Sequence, residues 1–370
     1  MSQSLVLNHA ARVLDSVSPD LRADAALRQH LSKSTRFLST EKRDIARAVF
    51  TYFRWKSWLD ERSPSQSRIA AALELQQRFD QNPASIKDEA LAARAVPEWV
   101  KQEMDVPAAW LRQLQKEPPL WVRARPGRAA ELAAKLGDCK TTPHAPDALL
   151  YRGSRDLFTT PEFQAGLFEI QDLASQLVGL AAAPLPGQTW WDCCAGEGGK
   201  TLHLADQMQN KGLVWASDRS LRRLDSLKRR FGRAKLFNYR AAPWEGTPRL
   251  PTKAKFDGIL LDAPCSGLGT WQRNPHARWS ATPTDVRELS AIQARVLEIV
   301  SGSLKPGGLL VYAVCTLTRA ETTEVAGAFS AAHSEFEPLP VLGQTPQLTI
   351  WPQDVNANGM FIAIWKRKAV

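Results

Sequence analysis

Two cysteines each follow an apolar run. Asp262-Ala263-Pro264-Cys265-Ser266-Gly267 comes after Gly258-Ile259-Leu260-Leu261, and Val314-Cys315-Thr316 closes Leu309-Leu310-Val311-Tyr312. A short apolar run bounded by turn residues reads as a buried strand, so both thiols are expected at the same edge of one sheet. A lone cysteine is ordinarily packing; two of them facing one ligand loop point to chemistry. A thiolate adds readily to an electron-poor ring carbon. Added at carbon 6 of cytosine, it puts electron density on carbon 5, which then accepts a methyl from a sulfonium. Loss of the carbon-5 proton and expulsion of the thiolate complete the cycle. Asp262 is the acid expected near ring N3, and a nearby cation would lower the attacking thiol's pKa. The residues alone do not say which thiol attacks.

The ligand loop is Asp192-Cys193-Cys194-Ala195-Gly196-Glu197-Gly198-Gly199-Lys200-Thr201, between a strand at 189–193 and a helix at 199–208. Its glycines let backbone approach a ligand, and the helix amino terminus offers free N–H groups. Asp218 ends the next strand, where it can bind ribose hydroxyls. The loop is neither GxGxxG nor a phosphate-cradling P-loop. Carboxylates at Asp192 and Glu197 would repel a pyrophosphate but tolerate a cationic ligand. Both points favour S-adenosylmethionine over a dinucleotide. No cysteine or histidine stands at metal-ligand spacing, so no metal is expected.

The surrounding elements must bring these residues together. Residues 1–80 carry apolar positions at helical spacing (Ala10, Val13, Leu14 and Val17; Ile45, Val49 and Phe53) with Arg43, Arg47, Arg54 and Lys56 interleaved. Residues 95–155 read as a small α+β module, with strands at 120–124 and 148–151 around a helix at 129–136. Residues 156–370 alternate strand and helix: helices at 199–208, 221–231, 286–304 and 321–332, strands at 213–218, 234–239, 256–262, 309–316 and 359–365. That rhythm implies an α/β fold with a mostly parallel sheet covered on both faces. The 370 residues carry 48 Lys plus Arg against 38 Asp plus Glu, a net +10 that suits a polyanionic partner. No apolar run reaches a membrane span and no export signal is visible, so a cytoplasmic monomer with reduced thiols is expected.

In this order, the motifs resemble the RNA cytosine-5 methyltransferases of the Sun (Fmu/RsmB-type) family. The resemblance covers about 155–368. It is carried by Gly166-Leu167-Phe168-Glu169-Ile170-Gln171-Asp172, the loop 194–201, Asp262-Ala263-Pro264-Cys265-Ser266-Gly267, Arg273-Asn274-Pro275, Arg278-Trp279, Cys315 and Gly359-Met360-Phe361-Ile362-Ala363. It implies a Rossmann-like methyltransferase domain that uses S-adenosylmethionine. Cys315 would be the nucleophile and Cys265 the residue that assists release. The cofactor would lie against Cys194, Ala195, Gly196, Glu197, Gly198, Gly199, Lys200, Asp218 and Asp262, with Lys200 close to the reacting groups. The first 80 residues look like the NusB-like RNA-binding extension of bacterial members. The implied partner is RNA, ribosomal first and transfer RNA second.

Three departures stand out. Val314-Cys315-Thr316 replaces Thr-Cys-Ser, the acidic run beyond it thins to Glu321 and Glu324, and no acid appears in 238–242 after the third strand to hold adenine. Two competing readings are a non-catalytic RNA-binding assembly factor and a nicotinamide-dependent oxidoreductase. The retained thiols and Lys200 argue against the first, and the poor pyrophosphate loop against the second. Trp190, Trp191 and Trp215 are expected in the core. Trp271 and Trp279 are weighed evenly between packing and base stacking, and His276 is expected to be an ordinary loop residue.

Overall fold

In the computed structural model, which describes residues 2–33 and 37–369, the apolar runs pair into two sheets. The chain falls into two compact units, Met1–Pro118 with Thr270–Pro283, and Pro119–Gly269 with Thr284–Val370. The first is helical. Gln3–Ser16, Ala23–Ser32, Ser39–Trp55 and Ser65–Gln81 bury Ala10, Val13, Ile45, Val49, Phe53 and Ile69 against one another. The spacing of these residues puts them on one stripe of each helix.

Thr270–Pro283 is an integral part of this helical unit. Trp271 is fully buried beside Trp99 and Trp110. The Trp279 Nε1 donates to the Phe53 carbonyl at 2.7 Å, and the His276 ring packs edge-on against Phe53 at 4.8 Å. These tryptophans are packing residues, so the even weighing against base stacking resolves toward the core. Arg54, one of the interleaved basic residues, is buried: it is 2% exposed, and its Nη1 donates to Gln76 Oε1 at 3.1 Å. Arg278 is wholly buried, donating to the carbonyls of Ala95 (2.9 Å), Leu114 (3.2 Å) and Arg54 (3.4 Å). Burial, and then the Arg54 charge, pull its pKa down to about 9.

The second unit opens with a four-stranded antiparallel sheet of β1 (Leu120–Ala124), β2 (Cys139–Thr141), β3 (Ala148–Tyr151) and β4 (Phe168–Ile170), in the order β2-β3-β1-β4. The main sheet follows, from β5 (Thr189–Asp192), β6 (Leu213–Asp218), β7 (Tyr239–Pro243), β8 (Phe256–Asp262), β9 (Leu304–Val314), β10 (Phe336–Leu339), β11 (Gln347–Ile350) and β12 (Met360–Arg367). Its order is β10-β12-β9-β8-β5-β6-β7, with β11 also on β12. Strands β7, β6, β5, β8 and β9 run parallel, and β12 and β10 return antiparallel. Trp190 and Trp191 alternate between the two faces. Trp190 joins the core under the helices Leu173–Ala182, Gly199–Gln207 and Leu221–Ala234, and Trp191 the core under Pro283–Ser301 and Thr323–Ala332.

Two expectations are corrected. The helix after β6 runs on to Ala234 and the third parallel strand begins only at Tyr239, not across 234–239. The apolar letters there misled, since Phe237 is 74% exposed and Lys235 sits left-handed as the helix cap. The turn residues Lys305-Pro306-Gly307-Gly308 do not separate helix from strand. They bulge out of β9, because Phe256 pairs with Leu304 while Gly258 pairs with Leu309. No helix among the described residues is long and apolar enough to cross a membrane.

Candidate active site

Strand order reverses between β5 and β8, and the loop after β5 lies at that switch point. It folds back on the sheet: the Ala195 N–H donates to Ser217 O at 2.9 Å, and the Gly196 N–H to Asp218 Oδ2 at 3.0 Å. Gly196 and Gly198 have φ of +54° and +85°. At Gly198 a Cβ would also lie 2.6 Å from Leu227 Cγ, so only glycine lets the helix Gly199–Gln207 start here. Asp218 is nearly buried and fixed through its other oxygen by the Ser220 N–H at 2.8 Å.

A cavity of about 500 Å³ opens over this edge. Cys194, Ala195, Gly196, Glu197, Gly199, Lys200, Asp218 and Asp262 all line it; Gly198 does not, being turned toward Leu227. Residues missed in the sequence complete the wall: Trp244, Glu245 and Gly246 just beyond β7, and Leu289, Ile292 and Val296 on the helix Pro283–Ser301. Glu245 places an acid on this wall a few residues beyond 238–242, where the sequence shows none.

Asp192 is not at the cavity mouth. It is 1% exposed at the end of β5, where its Oδ2 accepts from Thr201 Oγ1 at 2.6 Å and its Oδ1 has no partner. Burial pushes its pKa up to about 7, partly countered by the Thr201 hydrogen bond. An acid whose folded pKa is raised binds its proton more tightly in the native state. Its contribution is therefore present at low pH and lost as pH climbs from about 4 to about 7. Asp192→Asn should abolish that loss. Its stability relative to the wild type should rise between pH 5 and 8 by on the order of 2–4 kcal/mol. Parallel curves of Tm against pH for the two proteins would refute the buried, proton-binding role.

On the cavity wall Lys200 Nζ pairs with Asp262 Oδ2 at 2.7 Å. Burial works against the Lys200 charge, but the Asp262 carboxylate outweighs it and the pKa is raised. The Sγ atoms of Cys265 and Cys315, not themselves among the lining residues, are 3.3 Å apart. The hydrogen bond with Cys265 lowers the Cys315 pKa against the effects of burial and of the Asp262 charge, and the Lys200 charge assists. Cys265 moves the opposite way, held well above the ordinary thiol range by its bond to Cys315, by burial and by Glu321.

Five parallel strands with an antiparallel pair beyond, a glycine loop at the switch point and an acid ending the next strand make the fold of S-adenosylmethionine-dependent methyltransferases. The chain belongs to the 16S rRNA methyltransferase RsmB/F family, whose family model matches residues 180–366. It is 34% identical over 290 residues to the probable ribosomal RNA small subunit methyltransferase B of Synechocystis sp., covering 73% of this chain and 64% of that one. The match therefore spans less than two thirds of that relative's length. A crystal structure of a methyltransferase homolog protein from Pyrococcus horikoshii aligns with a TM-score of 0.63 at 28% identity, over 70% of this chain and 90% of that one. The crystal structure of PH0851 shares the fold with a TM-score of 0.82 at 21% identity, over 98% of each chain.

Proposed function

We propose that this protein methylates carbon 5 of cytosine in RNA, ribosomal RNA first, through a covalent bond between Cys315 and carbon 6. The observation that carries the reading is the thiol pair 3.3 Å apart near the Lys200–Asp262 ion pair, which itself lines the cavity of the glycine loop. The ribosomal substrate is supported by the name of the Synechocystis relative.

The cavity suits S-adenosylmethionine. Asp218 lies at the end of β6 for ribose hydroxyls, and Trp244, Leu289 and Ile292 offer an apolar slot for a base. Glu197 and Glu245 tolerate a cationic ligand. When bound there, the cofactor would supply an electrophilic methyl on a sulfonium. The protein's own residues do the rest. The Cys315 thiolate adds to carbon 6 of cytosine. As the ring takes up negative charge, N3 gains a proton from water, and the Asp262 carboxylate, held by Lys200, accepts a hydrogen bond from that N3–H and so stabilises the adduct. Carbon 5 then gives its proton to water, and the 5,6 double bond re-forms as Cys315 leaves as the thiolate. N3 returns its proton to water, and Cys265 assists by donating its S–H to the departing sulfur.

The test is transfer of labelled methyl from S-adenosylmethionine to small-subunit ribosomal RNA, transfer RNA and DNA, followed by nucleoside analysis. Label in 5-methylcytosine from ribosomal RNA is expected. Label on transfer RNA alone would move the substrate, and label on DNA alone, or on a base other than cytosine, would overturn the reading.

A further inference from the structure

Glu321 has no solvent exposure, yet it lies between the two cysteine loops. Its Oε1 accepts from the Ser266 N–H at 2.8 Å and from Gln293 Nε2 at 3.0 Å. Its Oε2 accepts from the Ser266 hydroxyl, from Thr318 Oγ1 at 2.9 Å and from Thr316 Oγ1 at 3.3 Å. Ser266 follows Cys265 and Thr316 follows Cys315, so one carboxylate grips the residue next to each sulfur. Gln293 extends the hold, since its Nε2 also donates to Pro264 O at 2.9 Å, and Tyr312 Oη lies 3.0 Å from its Oε1. A buried carboxylate is tolerated only when its lone pairs are filled, and here the donors come from the two segments that must be brought together.

We infer that Glu321 is the positioning residue of the thiol pair: it holds Cys265 against Cys315 so that Cys265 donates and Cys315 carries the negative charge. This rests on the pair being the reactive centre proposed above. Glu321 acts in two ways. Its hydrogen bonds fix the sulfur–sulfur distance, and its charge opposes a thiolate on Cys265, the nearer competitor. A thinned acidic run after Cys315 therefore still keeps the carboxylate that the geometry uses.

Alkylation of the full-length protein with iodoacetamide across a pH series, with each cysteine read by peptide mass, tests this without RNA or cofactor. In Glu321→Gln, the Cys315 reaction at pH 7 should slow about tenfold, the effect of raising its pKa by about one unit. The share of label on Cys265 should rise. In the Cys265→Ala background the same Glu321→Gln change should leave the Cys315 profile unmoved, because the effect runs through Cys265. A purely structural residue would lower Tm without this dependence. Should Glu321→Gln fail to fold, Ser266→Ala removes one link and should shift the Cys315 profile in the same direction by a smaller amount. Unchanged Cys315 profiles in the folded variants overturn the inference, as does an undiminished shift without Cys265. Methylation of another base, with these thiol profiles as expected, would refute the cytosine reading and leave the Glu321 role standing.

Discussion

With Cys315 replaced by alanine, methyl transfer to RNA is expected to fall by about ten-thousand-fold or more, as when other covalent nucleophiles are removed. Cys265 cannot substitute, although its sulfur lies only 3.3 Å away. Its hydrogen bond to Cys315, burial and the Glu321 charge all hold it in the protonated form. Cys265→Ala should behave differently. Addition to carbon 6 remains available but release is impaired, so a protein–RNA adduct that survives denaturation should build up on a gel. Near-normal turnover by Cys315→Ala would sink the attacker assignment. Adduct from Cys315→Ala together with a dead Cys265→Ala would show that the roles are exchanged.

The second large effect is on stability. Arg278→Ala should cost the helical unit about 3–5 kcal/mol, read as a fall in Tm of the full chain by calorimetry. The carbonyls of Ala95, Leu114 and Arg54 would be left facing a void, at about 1–3 kcal/mol for each buried unsatisfied group. Part is offset, because a desolvated guanidinium without a carboxylate partner is itself costly. Arg278→Met fills more of the volume and should lose less than alanine. An unchanged Tm in Arg278→Ala would mean that those carbonyls find other donors.

Where burial was strong and regular, the sequence was easy to read. Leu213–Asp218 and Phe256–Asp262 are central strands whose apolar runs coincide with the observed bounds, and Ala129–Leu136 is a short helix with one clear apolar stripe. Tyr239–Pro243 is an edge strand with no fully buried residue, so it leaves almost no periodic signal, and the real wall at Trp244 and Glu245 was missed with it. Both thiols and the loop 194–201 were legible because each motif sits at the carboxyl end of a strand. The choice between the thiols was not. The groups that distinguish their surroundings, the Lys200 charge acting on Cys315 and the Glu321 carboxylate bonded to Ser266, come from residues far apart in the chain. Glu321 had been noted only as a remnant of an acidic run. Trp271 and Trp279 stayed open between packing and stacking for a related reason: Thr270–Pro283 belongs to the helical unit, and nothing local in the sequence says so.

That membership has a consequence for how the protein is made. The helical unit's missing piece, with Trp271 and Arg278 at its centre, is translated about 150 residues after the helices it completes. At ribosomal speed that is roughly ten to thirty seconds. Through that interval Trp110 and the carbonyls of Ala95 and Leu114 have no permanent cover, and the earlier helices must wait or be shielded. The amino-terminal unit of this protein is begun first but finished only when most of the second unit has emerged.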